Sequence, residues 1–239
     1  MTAGFQAFTD TGIVQIDGQT PNYQMTAQMR QATAVTSVPT VFNNVGTQFY
    51  VNFQSTTFTF NAAYPLFAFT ADGGVMVTPY KFTRSGNTFT VQFVAAAATT
   101  INLFIFDQVP TSANRFGLQV FDSNGVLIAD AANPFARIID VKSGQVIPGT
   151  GFDGTGTSMP GPGTQSVNYG RNVAVAGAYA GHLLNSDGSA GAWMTAWGVS
   201  GGTVTWEWHA YYNNSGGHYI GFREASAWNF MVMDMTGII

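Results

Sequence analysis

The stretch from Gly117 to Val141, GLQVFDSNGVLIADAANPFARIIDV, repeats a pattern that the chain has already used at its N-terminus. The earlier copy, GFQAFTDTGIVQIDGQTPNYQM, runs from Gly4 to Met25. At an offset of 113 positions (117 minus 4), identical residues fall at Gly4/Gly117, Gln6/Gln119, Phe8/Phe121, Gly12/Gly125, Asp17/Asp130 and Pro21/Pro134. In each copy, apolar residues alternate with polar ones around a turn rich in Asp and Gly, which predicts a β-hairpin.

Two later segments extend the repeat. Thr88–Phe93 matches Thr203–Trp208 at an offset of 115 (203 minus 88). Asn102–Asp107 matches Asn229–Asp234 at an offset of 127 (229 minus 102). The offset grows along the chain, as expected when insertions accumulate in loops. These matches predict two tandem homologous domains, residues 1–113 and 114–239, each close to the usual domain size of about 100–150 residues.

Short strand patterns separated by turn signals dominate both halves, for example around Ala71-Asp72-Gly73-Gly74. Such spacing predicts an all-β fold made of antiparallel β-sandwich domains, Ig-like or jelly-roll-like. Residues 25–35, MTAQMRQATAV, are the best helical candidate in the first half, but their short length and threonine content leave them unassigned. Residues 143–165 form a Gly/Pro-rich segment that is too long for a simple connector.

The composition is typical of a folded protein but poor in charged residues. Charged residues make up 8% of the chain, against about a quarter in ordinary proteins. A surface of this kind favours burial in an assembly, although an extracellular protein with a neutral surface is the alternative. Cysteine is absent, so disulfides and thiolate metal sites are excluded. The net charge of −4 argues against nucleic acid. No signal peptide and no apolar span are recognisable, and we expect no membrane insertion.

No catalytic motif accompanies the acidic residues. Glu207, Glu224 and Asp187 are conceivable carboxylates for glycoside hydrolysis, but none has a flanking motif. The pairs Asp17/Asp130 and Asp107/Asp234 recur at strand ends, which favours roles in turns or caps. The chain lacks a GxSxG elbow, a P-loop and a GxGxxG preceding a helix. We therefore expect no catalytic residues, no cofactor and no enzymatic activity.

The three histidines, His182, His209 and His218, do not form a known metal signature. His209 and His218 flank a predicted hairpin with its turn at residues 213–217, and Glu207 shares a strand face with His209. A metal would need this third ligand in place. Surface or hydrogen-bonded histidines are the favoured interpretation, and no metal site is expected.

All five tryptophans lie in the second copy. Trp206 and Trp208 share a strand face, and their counterparts Val91 and Phe93 favour a role in the core. The functional alternative is a platform on which saccharide rings stack, with amide and imidazole groups as hydrogen-bonding partners. We refer to its candidate ligand-binding residues as the aromatic segment: Trp206, Trp208, Tyr211, Tyr212, Asn213, Asn214, His218 and Tyr219.

The opening Gly-x-Gln-Val-Phe-Asp of Gly117–Val141, its Asn-Gly turn and its closing Arg-Ile-Ile-Asp-Val resemble small tail proteins of long-tailed bacteriophages. The resemblance covers about 25 residues in each copy. It implies a structural, non-enzymatic β-sandwich protein of the tail tip or tail fibre. It also implies a virion location after assembly in the host cytoplasm.

The partners implied by this resemblance are copies of the same chain, in a trimer, other tail proteins and a glycan or protein of the host surface. On this view, the first copy is the assembly module and the second is the more exposed module. The alternative is a carbohydrate-binding or receptor-binding module that acts alone.

Overall fold

The computed structural model describes residues 7–8, 14–16, 22–42, 48–108, 117–145, 163–185, 191–213, 219–222 and 227–239. Strands make up nearly all of the regular structure in these ranges, and the single exception is a 3₁₀ turn at Asp72–Gly74. The prediction of an all-β sandwich fold is confirmed.

The strands of the first half are β1 (Ala7–Phe8), β2 (Val14–Ile16), β3 (Gln24–Ala32), β4 (Ala34–Phe42), β5 (Gln48–Asn61), β6 (Leu66–Ala71), β7 (Val77–Ser85), β8 (Thr88–Ala95) and β9 (Thr100–Asp107). Those of the second half are β10 (Gln119–Phe121), β11 (Leu127–Asp130), β12 (Ile138–Gln145), β13 (Gln165–Asn168), β14 (Val173–Tyr179), β15 (His182–Asn185), β16 (Gly191–Ser200), β17 (Thr203–Asn213), β18 (Tyr219–Phe222) and β19 (Ala227–Asp234).

Two large sheets and two separate hairpins contain these strands. The smaller sheet has six strands in the order β12-β19-β14-β6-β9-β3. The larger has nine, with seven in the order β13-β17-β16-β7-β8-β5-β4, while β15 pairs with β16 and β18 pairs with β15. The hairpins are β1–β2 and β10–β11. Every pairing among the described strands is antiparallel.

The main core lies between the two large sheets, and we call it the inner cluster. Alternation along β9 shows how the sequence builds it: Ile101, Leu103 and Ile105 point into the inner cluster. Phe104 and Phe106 point to the opposite face of the small sheet, where they join a second apolar cluster. Both faces of β9 are therefore buried, which explains its almost unbroken apolar sequence.

The two halves of the chain share both sheets. In the small sheet β6 pairs with β14, with Phe69 opposite Val175. In the large sheet β7 pairs with β16, with Val77 opposite Trp197. We call this junction the seam, and the inner cluster continues across it. The division at residues 1–113 and 114–239 stays a prediction, and its boundary lies outside the described residues.

The strand order is the same on both sides of the seam. Outward from it, the small sheet contains β6, β9 and β3 on one side and β14, β19 and β12 on the other. The large sheet contains β7, β8 and β5 on one side and β16, β17 and β13 on the other, and β4 follows β5 as an additional strand. The three strands next to the seam in each sheet therefore follow corresponding orders on the two sides.

The pairing registers repeat as well. Adding 113 to the residues of the first hairpin gives those of the second: Ala7↔Ile16 and Phe8↔Val14 become Val120↔Ala129 and Phe121↔Leu127. Both hairpins shift register at the same step. Adding 115 to the turn pair Ser85↔Thr88 gives Ser200↔Thr203, which is the turn pair of β16 and β17.

Candidate functional site

Trp206 of the aromatic segment belongs to the core. It is only 4% exposed and lies within the inner cluster. Its ring centroid is 5.2 Å from that of Phe230 and 6.0 Å from that of Trp228. Trp208, two residues along the same strand face, is half-buried and packs against the same cluster. The alternation inferred from Val91 and Phe93 thus holds, and Trp206 has no free ring face for a saccharide.

Tyr211 points to the other side of the large sheet. It packs beside Phe53 with a ring-centroid separation of 6.2 Å. Its hydroxyl and that of Thr78 share a hydrogen bond of 2.8 Å. Thr78 in turn donates to the carbonyl oxygen of Thr195, also at 2.8 Å. Burial raises the pKa of the Tyr211 phenol above its usual value. These contacts join strands of both halves beside the seam.

The rest of the aromatic segment does not form one hairpin with β17. Tyr212 and Asn213 end β17, and Tyr219 begins β18, but their side chains are not described. The predicted hairpin around residues 213–217 is wrong, because β18 pairs with β15 instead of β17. β15 pairs with the edge of β16 that faces away from β17, and β18 pairs with the other edge of β15. Asn214 and His218 lie outside the described residues.

Glu207 and His209 form a compact polar network on β17. The Nδ1 of His209 lies 2.7 Å from a carboxylate oxygen of Glu207. Thr164 donates its hydroxyl to the other carboxylate oxygen at 2.8 Å. Burial opposes ionisation of Glu207, but the bonds from His209 and Thr164 outweigh it and hold the pKa of Glu207 below its usual value.

Among the described residues, no group of three or more His, Asp or Glu side chains is placed to hold a metal ion. Glu224, Asp187 and the side chain of His182 lie outside the described part of the structure. Glu207 and His209 therefore form a hydrogen-bonded pair of the kind that the favoured interpretation of the histidines predicts.

The recurring aspartates act in turns. Asp107 accepts backbone N–H bonds from Ala63 at 2.6 Å and Tyr64 at 3.0 Å. Asp234, its counterpart, accepts the N–H of Thr236 at 2.8 Å and lies beside two arginines. Asp130 accepts the N–H of Ala132 at 2.9 Å. These bonds confirm the turn role for all three, while Asp17 lies outside the described residues.

A cleft that the sequence pattern did not indicate opens at one end of the seam. It has a volume of about 520 Å³ and lies between β7 and the end of β14. Its lining mixes aromatic, aliphatic and charged side chains: Phe67, Pro79, Tyr80, Lys81, Phe82, Ala178, Tyr179, Ala180 and Met194, together with Gly177. Only the assembled fold brings β7 and β14 together, because they are far apart in the sequence.

The cleft exists because the large sheet forks. β16 pairs with β7 at Trp197. From Met194 to Gly191 the same edge of β16 pairs with β15. β7 therefore leaves β16 after Val77, and the described strands give it no partner on that side. The cleft occupies the space that this divergence opens.

Comparison with known proteins gave no match to a family model, a curated protein or a solved structure. No helix among the described residues is long and apolar enough to cross a bilayer.

Proposed function

We propose that this protein is a structural component of a bacteriophage tail, at the tip or on a fibre, with roles in tail assembly and host attachment. It has no catalytic activity on this proposal. It joins the virion after assembly in the host cytoplasm, and it packs against copies of itself, in a trimer, and against other tail proteins. The two halves descend from one duplicated β-sandwich unit.

The observation that carries the proposal is the repeated hairpin. The segment Gly117–Val141, which resembles tail proteins, forms the β10–β11 hairpin, and the N-terminal copy forms β1–β2 with the same register. The second hairpin also docks on the first half, since Asn22 donates its N–H to the carbonyl of Ile128 at 3.2 Å and Asp130 donates its N–H to the side-chain oxygen of Gln24 at 2.9 Å. The resembling element is therefore a structural part of the fold.

An exposed apolar sheet edge supports the assembly role. β12 is the last strand of the six-stranded sheet. It exposes three branched apolar side chains, Ile138, Ile139 and Val141. The strand also carries Asp140 and Lys142, which form an ion pair of 2.8 Å with each other. Exposed apolar side chains on an edge strand nevertheless favour pairing with another chain. We assign this edge to contacts with neighbouring tail subunits.

A stand-alone binding module is the second candidate, because the cleft at the seam offers exposed aromatic side chains beside a lysine. On that proposal the chain is a monomer that binds a surface glycan or receptor without a tail.

Immunogold electron microscopy separates the two proposals. Antibodies against the purified chain should label one end of intact phage tails. Labelling that is absent from particles, together with a monomeric mass in light scattering, would favour the stand-alone module. To test the β12 edge, Val141→Lys should lower the oligomeric state of the purified chain, whereas Val126→Lys, at an exposed position in the turn between β10 and β11, should leave it unchanged. Equal behaviour of the two variants would exclude the β12 edge as the contact.

A further inference from the structure

We propose that the cleft at the seam binds an acidic saccharide, with the sugar ring against the exposed aromatic side chains and its carboxylate on Lys81. This inference adds a ligand to the attachment role proposed above and rests on that role for its biological meaning. Its physical basis is the geometry of the cleft itself.

The two ends of the seam differ in packing, although their strands occupy corresponding positions in the sheets. Phe82 lies opposite Val91, and Trp197 lies opposite Trp206. The shared offset of 115 (197 minus 82, and 206 minus 91) makes Trp197 the counterpart of Phe82. Trp197 is fully buried, whereas Phe82 is 51% exposed.

The 3₁₀ turn at Asp72–Gly74 closes the buried end. A Cβ placed on Gly198 would collide with the carbonyl oxygen of Gly74, so the backbones are in direct contact. At the other end, β14 runs into Tyr179, which is 45% exposed beside the cleft. The 3₁₀ turn therefore fills the space at one end of the seam. At the cleft, the corresponding space is open, and exposed aromatic side chains line its entrance.

The lining suits a hydroxylated ring. The exposed Phe82 stacks on Phe67 behind it, with centroids 5.9 Å apart and an interplanar angle of 26°. Phe82 and Tyr179 offer apolar surface to the ring. Tyr179 adds a hydroxyl, and the edge of β7 that diverges from β16 adds backbone polar groups. The volume of about 520 Å³ falls in the range of small-ligand sites, about 300–1,000 Å³.

Lys81 supplies the charge preference. Arg30, Arg137, Lys142 and Arg171 each lie within ion-pair distance of an aspartate. Arg84 donates to the carbonyl of Gly86 and lies over the Phe89 ring.

Within the described residues, no comparable partner accompanies Lys81, which lines the cleft and is exposed. An ammonium in this position favours an anionic ligand over a neutral one of the same shape.

Isothermal titration calorimetry on the full chain tests this with three probes: a disaccharide of glucuronic acid and glucose, its neutral counterpart of two glucose units, and benzoate. The acidic disaccharide should bind about tenfold more tightly than the neutral one, and its affinity should fall with added salt. Lys81→Gln should remove that tenfold advantage and leave the neutral sugar unaffected. Tyr179→Ala should weaken both sugars.

Arg84→Gln is the matched control, because it removes a positive charge from the same strand outside the cleft lining. Equal losses in Arg84→Gln and Lys81→Gln would overturn the assignment of the carboxylate to Lys81. Benzoate that binds as tightly as the acidic sugar would overturn the saccharide class, and no binding at millimolar concentration would overturn the site. Because the titration uses the isolated chain, its failure leaves tail membership untouched, and absence from particles leaves the titration result untouched.

Discussion

Gly198 of β16 packs directly on the carbonyl oxygen of Gly74, so the backbones of the two halves meet without a side chain between them. The contact lies next to Trp197, which is fully buried and pairs with Val77 across the seam. This approach is possible only with a glycine at position 198. It closes one end of the junction at which both sheets pass from the first half to the second.

Gly198→Ala should therefore destabilise the whole fold. The added methyl meets backbone atoms, which cannot move aside as a flexible side chain would. We expect a loss of about 2–3 kcal/mol in the free energy of unfolding, typical of overpacking, measured by urea denaturation. Gly163→Ala is the control, because a Cβ there meets nothing within 4 Å. If both variants unfold at the same urea concentration, the close contact at the seam is incorrect.

Trp206→Ala distinguishes a core residue from a binding platform. Removing a ring that packs against Trp228 and Phe230 should cost about 3–5 kcal/mol of stability. Tyr64→Ala, at an exposed aromatic position, should change the thermal midpoint little. A Trp206→Ala protein with unchanged stability would mean that the ring lies outside the core.

The hydrogen bond between Tyr211 and Thr78 should couple the two halves energetically. Tyr211→Phe removes one hydroxyl and should cost about 0.5–1.5 kcal/mol. In a double-mutant cycle with Thr78→Val, the combined loss should be smaller than the sum of the single losses, because both variants remove the same bond. Strict additivity in urea unfolding would show that the two hydroxyls do not interact.

Asp234 should make stability depend on pH in the acidic range. Burial opposes its ionisation, but the hydrogen bonds from Thr236 and Arg171 and the charge of Arg137 outweigh burial and lower its pKa below the ordinary value of 3.8. A lowered pKa in the folded state stabilises the protein above the unfolded value, and that contribution is lost as the pH falls through the folded pKa.

Asp234→Asn should accordingly be less stable than the native chain at pH 7 by about 1–3 kcal/mol. The difference should begin to shrink as the pH falls below 3.8, and it should vanish below the lower pKa of the folded state, where the native carboxyl is neutral too. Urea unfolding of both proteins across this range measures it. A difference that stays constant with pH would contradict the role assigned to the ionised carboxylate.

The sequence was most informative where local pattern and burial agree. The turn residues and the apolar alternation of Gly117–Val141 directly predict the β10–β11 hairpin. The counterpart of β9, Asn229–Asp234, also lies in a strand, and its Phe230 and Val232 enter the inner cluster as Leu103 and Ile105 do.

Residues 25–35 show why some strands cannot be predicted from the local sequence. Met25 and Met29 sit at helical spacing, yet β3 forms there because its backbone pairs with β9 along its whole length. Long-range pairing of this kind overrides weak local propensity. The pairing of β18 with β15 and the opening of the cleft likewise depend on which strands share the edge of β16, and no local pattern records that choice.

We propose that this protein belongs to a phage tail, and quantitative mass spectrometry of gradient-purified virions can establish whether it does. We expect its peptides to be present in intact particles and absent from detached capsids. We also expect a copy number per particle that is a multiple of three. Peptides found only in the lysate, and missing from purified particles, would contradict it.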